Sequence, residues 1–562
     1  MNFMKNTQFL AITMIVGLVS ESRAQSPFTK ITTGAIATDQ GQFAASTWAD
    51  FENRGLLDLF VADYGGANVF YRNNGDGTFT SETEGLLLQY VPYETGAPVA
   101  DFDNDGYLDA AIVAGSGAPA PGNDLLYHNN GDGSFTAVSG GDVTNIPGYF
   151  NTGAWADYDN DGFVDFFAAQ ADPDNVPRNS VLLHNNGDGT FTPVTNAVTR
   201  DTIYSTSTAW ADYDNDGFMD LIVSAASHNL LYHNNRDGTF TKITTNLIAT
   251  DVWNNSAWTP TWGDYDNDGL PDLFVAGMQS GNRLYHNEGN GGFTRVSTGP
   301  MLAAPVGGGS RACGWGDYDN DGYLDLFEVN YNAPNRLFHN NGDGTFTQIT
   351  NAVFNNDANA NIYGQTCSWV DYDNDGFLDL FVTRYPDSGL TSNLLYHNNG
   401  NSNNWLEVKL VGTVANRSAI GAKVRVHATI AGKPFWQVRE MTTGGGRWVQ
   451  PLVTHFGLGD ATNVDTLRIE WPSGTVQEMP NVAAKQFLTI TEPARLKANM
   501  TNGIPEFSLN GGRNLSYEID SSPDLQTWTP LAHTTITNQS GITNILDTNS
   551  GAGQRFYRAV AR

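Results

Sequence analysis

Cysteine is nearly missing from this chain, with two in 562 residues. That argues against a disulfide scaffold, which needs far more thiols per residue. Basic side chains are scarce as well: 29 Lys and Arg stand against 60 Asp and Glu, for a formal net charge of −31. Such a surface repels phosphate backbones and anionic headgroups, so neither nucleic acid nor an acidic membrane is expected as a partner. No run in the chain reaches eighteen apolar residues, the length of a membrane-spanning helix, and no transmembrane segment is expected. Walker loops, nucleophile elbows, metalloprotease helices and CxxC pairs are all lacking, and no enzymatic activity is expected on that basis.

What the chain does contain is 12% aromatic residues and 60 glycines, with only 16% of residues charged. A disordered acidic tail has the opposite composition. The reading is a turn-rich, aromatic-packed β protein whose acid is gathered in particular places, and its length calls for two to four domains. Residues 1–24 read as a signal peptide, with Lys5 as the positive start, Phe9 to Ser20 as the apolar stretch and Ser22-Arg23-Ala24 as a small-x-small cleavage site. A mature chain starting near Gln25 would be secreted, periplasmic or held at the cell surface.

A unit of a Trp-Ala-Asp lead, an acidic loop, an apolar run such as "LDLFVA" and a hairpin such as "LLYHNNGDGTFT" recurs down the chain. The loops start at Asp50, Asp101, Asp157, Asp212, Asp264, Asp317 and Asp371, at intervals of 51 to 56 residues. Asn-Gly and Asp-Gly steps mark tight hairpin turns, and no helical period of comparable length lies between the strands. About four short strands per unit and seven units predict an all-β fold, a seven-bladed β-propeller over 25–400. The phase of the repeat predicts how the ring closes. The "FTKIT" at 28–32 has no first hairpin arm before it, and the seventh unit ends in "LLYHNNG" with no second arm after it. The N-terminal strand should complete the last blade, removing the free edges of an open array. Trp48, Trp155, Trp210, Trp262, Trp315 and Trp369 are expected between blades. The six hairpin histidines, His128, His184, His233, His286, His339 and His397, are likewise read as packing elements. Cys313 and Cys367 occupy equivalent positions in adjacent units, compatible with a bridge or with two buried thiols.

Carboxylates crowded this way repel one another unless something positive sits among them. Six loops place Asp at positions 1, 3, 5 and 9 with Gly at 6. These are Asp101, Asp103, Asp105 and Asp109; Asp157, Asp159, Asp161 and Asp165; Asp212, Asp214, Asp216 and Asp220; Asp264, Asp266, Asp268 and Asp272; Asp317, Asp319, Asp321 and Asp325; and Asp371, Asp373, Asp375 and Asp379. A hard divalent ion with six to eight oxygen ligands suits alternate inward side chains and a glycine bend, and Ca2+ suits them better than Mg2+. About six calcium ions are expected. An EF-hand is excluded, because position 12 is apolar (Val382, Ala168, Ile112) and strands follow. In the first loop, "DFENRGLLD", Arg54 stands at position 5 beside Asp50, Glu52 and Asp58. Its guanidinium should pair with Asp50 and Asp58 and leave that loop empty or weakly binding.

These loops and the "NNGDGTFT" hairpins resemble FG-GAP/VCBS repeats, the blades of integrin-α-like propellers, over roughly residues 28–400. The resemblance implies calcium ligands at the aspartates named above. From Asn404 the pattern changes. Gly421-Ala422, Gly444-Gly445-Gly446, Phe456-Gly457-Leu458-Gly459 and Trp471-Pro472-Ser473-Gly474 resemble an ASPIC/UnbV domain, expected over 401–493. The pairing of the two is similar to the cartilage acidic protein family. "RWVQ" stands where Ser-Gln often follows the glycines. Residues 494–562 read as a small β-sandwich-like module, the second of two smaller β domains behind the propeller. The functional expectation is an exported calcium-binding propeller acting in adhesion, binding or scaffolding, with an extracellular protein or glycan as partner. The alternatives are a lectin-like propeller, with Tyr204, Trp253 and Tyr363 as candidate contacts opposite the ions, and an enzyme or accessory subunit acting on extracellular polymer. His455 reads as a structural histidine.

Overall fold

In every blade the position-9 aspartate opens the second strand. The residue before position 1 closes the first strand, or in blade 2 its two-residue inner strand Val99–Ala100, so each acidic loop is the link between two antiparallel neighbours. Blade 4 is representative: Ser205–Ala211, Asp220–Ala225, Asn229–Asn234 and Phe240–Ile243 pair in that order. Its two inner strands are buried along their whole length. A strand sandwiched by neighbours on both faces has no solvent side, which is why these runs are continuously small or apolar rather than alternating. The computed structural model describes residues 26–561 except 83, 89–93, 115–125, 139–149, 171–178, 203, 226, 254–256, 358–360, 445–449, 502–503, 513–514, 538–541 and 548–554. The expected leader at 1–24 and Gly445-Gly446 lie outside the described residues.

Seven such sheets form a ring, and it closes as the repeat phase predicts. Phe28–Ile31 pairs antiparallel with Leu394–Asn398, with Phe28 opposite Asn398 and Ile31 opposite Leu395. It becomes the outer strand of the blade built from Ile362–Val370 and Asp379–Pro386. Phe28 does for this blade what the first residue of the outer strand does elsewhere. It packs against Trp369 at 6.3 Å between ring centres, as Phe240 packs against Trp210 at 6.0 Å.

Each junction between blades holds its own apolar core, and the six lead tryptophans occupy six of the seven. In the junction of blades 1 and 2, Val99 takes the tryptophan's place. Aromatic residues at loop position 2 stack on the next tryptophan: Tyr213 on Trp262 at 6.2 Å and Tyr265 on Trp315 at 6.3 Å. The ring thus stands on large flat side chains repeated at every junction, each contributing a few kcal/mol of burial. Cys313 and Cys367 are buried free thiols in neighbouring junctions.

Beyond the ring, Thr454–Gly459, Asn404–Val411 and Gln486–Thr491 make one sheet, in which the last two strands run parallel. Lys433–Glu440, Lys423–Ile430, Asn463–Glu470 and Val476–Ala483 make a second. The two share a core containing Leu406, Val424, Phe456, Leu467 and Trp471. Two further three-stranded sheets lie within 495–561, around Leu509, Tyr517 and Ile519.

Candidate cation sites

Each loop is shaped by its own carboxylates before any ligand is considered. In blade 2 the amides of Asp105 and Gly106 donate to the two oxygens of Asp101 at 3.0 and 2.7 Å. Asp109 Oδ2 accepts from the Phe102 amide at 3.0 Å, and its Oδ1 accepts from the Asn129 amide at 2.8 Å. Asp105 Oδ1 accepts from the Tyr107 amide at 2.9 Å. Position 4 is Asn in the left-handed region in all seven blades, with φ between 53° and 59°, a conformation Asn tolerates better than most residues. Aspartates 157, 212, 264, 317 and 371 repeat the position-1 pattern in the other full loops.

With positions 1 and 9 largely committed to backbone amides, the groups left facing a common gap are those at positions 3 and 5 and a hairpin histidine. Asp103, Asp105 and His128 offer ligand atoms within 4.8 Å of one another, as do Asp159, Asp161 and His184, Asp214, Asp216 and His233, Asp266, Asp268 and His286, and Asp319, Asp321 and His339. The histidine Nδ1 also lies 3.1–3.2 Å from the position-9 carboxylate in all six full blades. The hairpin histidines are therefore part of the site. Their expected packing role holds only for the ring, which meets the position-2 aromatic edge-on, as with Tyr158 and His184 at 6.2 Å. Their Tyr-His-Asn spacing gives no hint of this, because the contact depends on the strand register that sets His opposite Asp.

The electrostatics of the gap call for positive charge. Burial, reinforced by neighbouring carboxylates, holds Asp101, Asp157, Asp317 and Asp371 well above the usual carboxylate range. Burial pushes Asp109, Asp165, Asp220, Asp272 and Asp379 up to about 7. The position-9 carboxylate, 3.1–3.2 Å from the ring nitrogen, raises His128, His184, His286 and His397 to about 9. One oxygen of position 3, the Oδ1 of Asp159, Asp214, Asp266, Asp319 and Asp373, is buried with no hydrogen-bond partner. A buried carboxylate oxygen without a donor costs free energy, and a cation in the gap would supply what is missing. The residues present fit a metal ion, and each full blade could hold one, provided that in blade 4 Arg236, whose Nε lies 2.7 Å from Asp216 Oδ2, swings aside.

Blade 1 answers the same need internally. Arg54 Nε lies 2.8 Å from Glu52 and its Nη2 lies 2.6 Å from Asp58. Arg72, standing where the other blades have His, also binds Glu52. The expected pairing with Asp58 is present, but the second partner is Glu52 rather than Asp50. The Asp50 oxygens accept from the amides of Arg54 and Gly55 and from Lys409. Two guanidiniums thus stand where a metal would be held elsewhere.

On the opposite face the expected aromatic contacts fare differently. Trp253 is fully buried under the Arg283 guanidinium, 3.9 Å from its ring centre, so it offers no ligand surface. Tyr363 is stacked on Tyr331 at 4.0 Å, and Arg311 lies 4.7 Å from its ring. Tyr204 is 43% exposed. His455 bridges Glu407 and Asn320, at 3.0 and 2.6 Å.

A closed ring of four-stranded blades with an acidic loop on each defines a repeat propeller with one candidate cation site in each of six blades. The chain belongs to the FG-GAP-like repeat family, whose model matches residues 50–112, 101–168, 157–223, 212–275, 264–328 and 317–382. A model described as ASPIC and UnbV matches 412–497. Cartilage acidic protein 1 of Mus musculus is 23% identical over 543 residues, covering 84% of this chain and 77% of that protein. Cartilage acidic protein 1 of Homo sapiens is 23% identical over 281 residues, covering 39% and 41%. Among solved structures, an Agrocybe aegerita lectin that recognises non-reducing terminal N-acetylglucosamine is 18% identical with a TM-score of 0.41, covering 62% of this chain and 93% of its own. The V. cholerae biofilm matrix protein Bap1 is 12% identical with a TM-score of 0.28, covering 92% and 84%.

Proposed function

We propose that this chain is an exported calcium-binding propeller that acts as a rigid binding or scaffold protein, without catalysis of its own. The observation that carries the calcium reading is the buried, donor-free Oδ1 of position 3, repeated in five blades beside the position-5 carboxylate and a histidine. A mostly carboxylate donor set is hard and suits Ca2+, whereas Mg2+ retains waters and demands stricter octahedral geometry. The imidazole also admits a borderline ion such as Mn2+. Export rests on the apolar run Phe9 to Ser20 behind Lys5. The non-catalytic reading rests on the commitment of the position-1 and position-9 carboxylates to backbone amides, which leaves them unsuited to proton transfer. The partner is an extracellular protein or glycan. Calorimetric titration of chelator-treated protein with Ca2+, Mg2+ and Mn2+ tests the metal reading, with strongest binding expected for Ca2+; absence of Ca2+ binding would overturn it. Protein and glycan arrays probed with and without chelator test the binding role, and capture that depends on Ca2+ is the expected result.

A further inference from the structure

We infer that the β domain of strands 404–491 is a clamp on the ion loops, so that its docking and their cation loading are thermodynamically linked. The inference rests on the cation reading of the loops.

The domain lies across the loop face and meets loops of six blades through dissimilar residues. Lys409 Nζ is 3.2 Å from Asp50 Oδ2 in blade 1. The Arg417 amide donates to Asn104 Oδ1 in blade 2 at 2.7 Å, and Asn416 Nδ2 donates to Asp157 Oδ2 in blade 3 at 3.2 Å. Lys423 Nζ, itself buried, lies 2.7 Å from Asp212 Oδ2 in blade 4 and also binds Asn215 Oδ1. In blade 6, His455 Nε2 meets Asn320 Oδ1 at 2.6 Å. In blade 7, Trp405 sits so close to Gly376 that a Cβ there would come within 1.8 Å of it, so only glycine fits.

The atoms gripped are position-1 Oδ2, position-4 Oδ1 and the backbone at position 6. The cation gap is lined by positions 3 and 5 and the histidine, with the position-9 carboxylate behind the histidine. Clamp and cation therefore hold opposite sides of one nine-residue loop and do not compete for the same oxygens. Between them runs a stiff connection: the position-1 carboxylate accepts the amides of positions 5 and 6, as Asp212 does from Asp216 and Gly217, both at 2.8 Å. Without a cation the carboxylates at 3, 5 and 9 repel, the loop relaxes, and the spacing of position-1 and position-4 oxygens that the clamp reads is lost. Simple attraction of the clamp to a more negative loop would act the other way. Among the described residues, however, its ion pairs to the loops are those of Lys409 and Lys423, and Lys409 reaches the blade that carries its own arginines. Arg439 adds attraction to Asp264 and Asp317, while Glu407 and Glu440 set carboxylates against Asp371 and Asp212. This near-balanced attraction is outweighed by the loss of loop geometry, so the coupling is positive. By reciprocity, loosening the clamp lowers cation affinity by the same factor that removing the cation loosens the clamp.

The test uses the full chain with spin labels at Asp76→Cys in the blade 1 hairpin and Asp465→Cys in the clamp, both exposed positions, the native thiols being buried. Ca2+ should give one narrow distance, and EGTA should broaden it. In parallel, calorimetry on Lys423→Met and on Asn416→Ala should show Ca2+ binding weakened by roughly fivefold at the affected loops, within the usual range for coupled sites. Lys433→Met, on an exposed strand end, should bind as the unmodified chain does. Asn416→Ala keeps the test valid if loss of the buried lysine prevents folding. A distance unchanged by EGTA in protein shown to bind Ca2+, or unaltered affinity in both variants, overturns the clamp while leaving the cation reading intact. Failure of the unmodified chain to bind Ca2+ at all overturns both.

Discussion

Asn374 of the seventh blade donates its Nδ2 to the Gly55 carbonyl of the first at 3.1 Å, the closing link of a circle. Each position-4 asparagine reaches the position-6 carbonyl of the next blade: Asn53 to Gly106, Asn104 to Gly162, Asn160 to Gly217, Asn215 to Gly269, Asn267 to Gly322 and Asn320 to Gly376, at 2.8–3.1 Å. A second circle lies beneath. The hairpin asparagines donate to position-2 carbonyls of the preceding blade and close from Asn73 to Tyr372 at 2.8 Å. Both circles complete only if the seventh blade is whole.

Removing the N-terminal strand should therefore cost more than a frayed terminus would. A chain starting after Ile31 loses the outer partner of Leu394–Asn398 and leaves Trp369 without Phe28. Phe28→Ala alone should destabilise by about 3–5 kcal/mol, as for other buried phenylalanines. The shortened chain should melt lower and associate through its bare edge. Identical melting and elution to the full chain would show that the strand closes nothing.

Restoring the first loop needs two changes. Arg54→Asp alone leaves Arg72 paired with Glu52, so little cation binding should be gained. Arg54→Asp combined with Arg72→His recreates the set of the other blades. With calcium the double variant should bind one more ion per chain, counted by metal analysis. In chelator it should be less stable than the unmodified chain, because acidic side chains then face one another without their guanidiniums. An unchanged ion count would mean that Glu52, one methylene longer than Asp, prevents the site from forming.

The ring was legible in the sequence because every blade repeats the same local chemistry. The lead tryptophans and the unpaired "FTKIT" are local patterns, and the structure places each as expected; the Asp-x-Asp-x-Asp-Gly spacing marks the loop that links the two inner strands of every full blade. The site was only partly legible. The histidines meet the loop through strand register, Arg72 acts from 18 residues beyond Arg54, and the clamp's side-chain contacts join residues 135 to 359 positions apart, as Lys423 joins Asp212 across 211. Burial of Trp253 beneath Arg283 is likewise tertiary: an aromatic in a loop-like stretch reads as exposed until the guanidinium that covers it is known.

Acidity should act oppositely on chelated and loaded protein. His128, His184, His286 and His397 titrate near 9 when folded against an ordinary 6.5. Their stabilisation is complete below pH 6.5 and fades as pH rises through about 9. Asp109, Asp165, Asp220, Asp272 and Asp379 titrate near 7 against an ordinary 3.8, so the folded state holds their protons more tightly. That contribution fades as pH rises through about 7. Both run the same way, and the chelated chain should melt lower at pH 9 than at pH 6. Protons and cation compete for the same groups, so the gain in Tm on adding calcium should grow over that range. A chelated chain that becomes more stable from pH 6 to 9 would contradict these assignments.

The most direct test is to count bound metal on the purified full chain after dialysis against trace calcium, and to record its melting with and without EGTA. Six loops hold 24 of the 60 acidic residues. A ligand that binds only the folded state at a hundredfold excess over Kd adds about 2.7 kcal/mol per site. The account predicts close to six calcium ions per chain and a large fall in Tm on chelation. A chain that retains no divalent ion and melts identically in EGTA would contradict it.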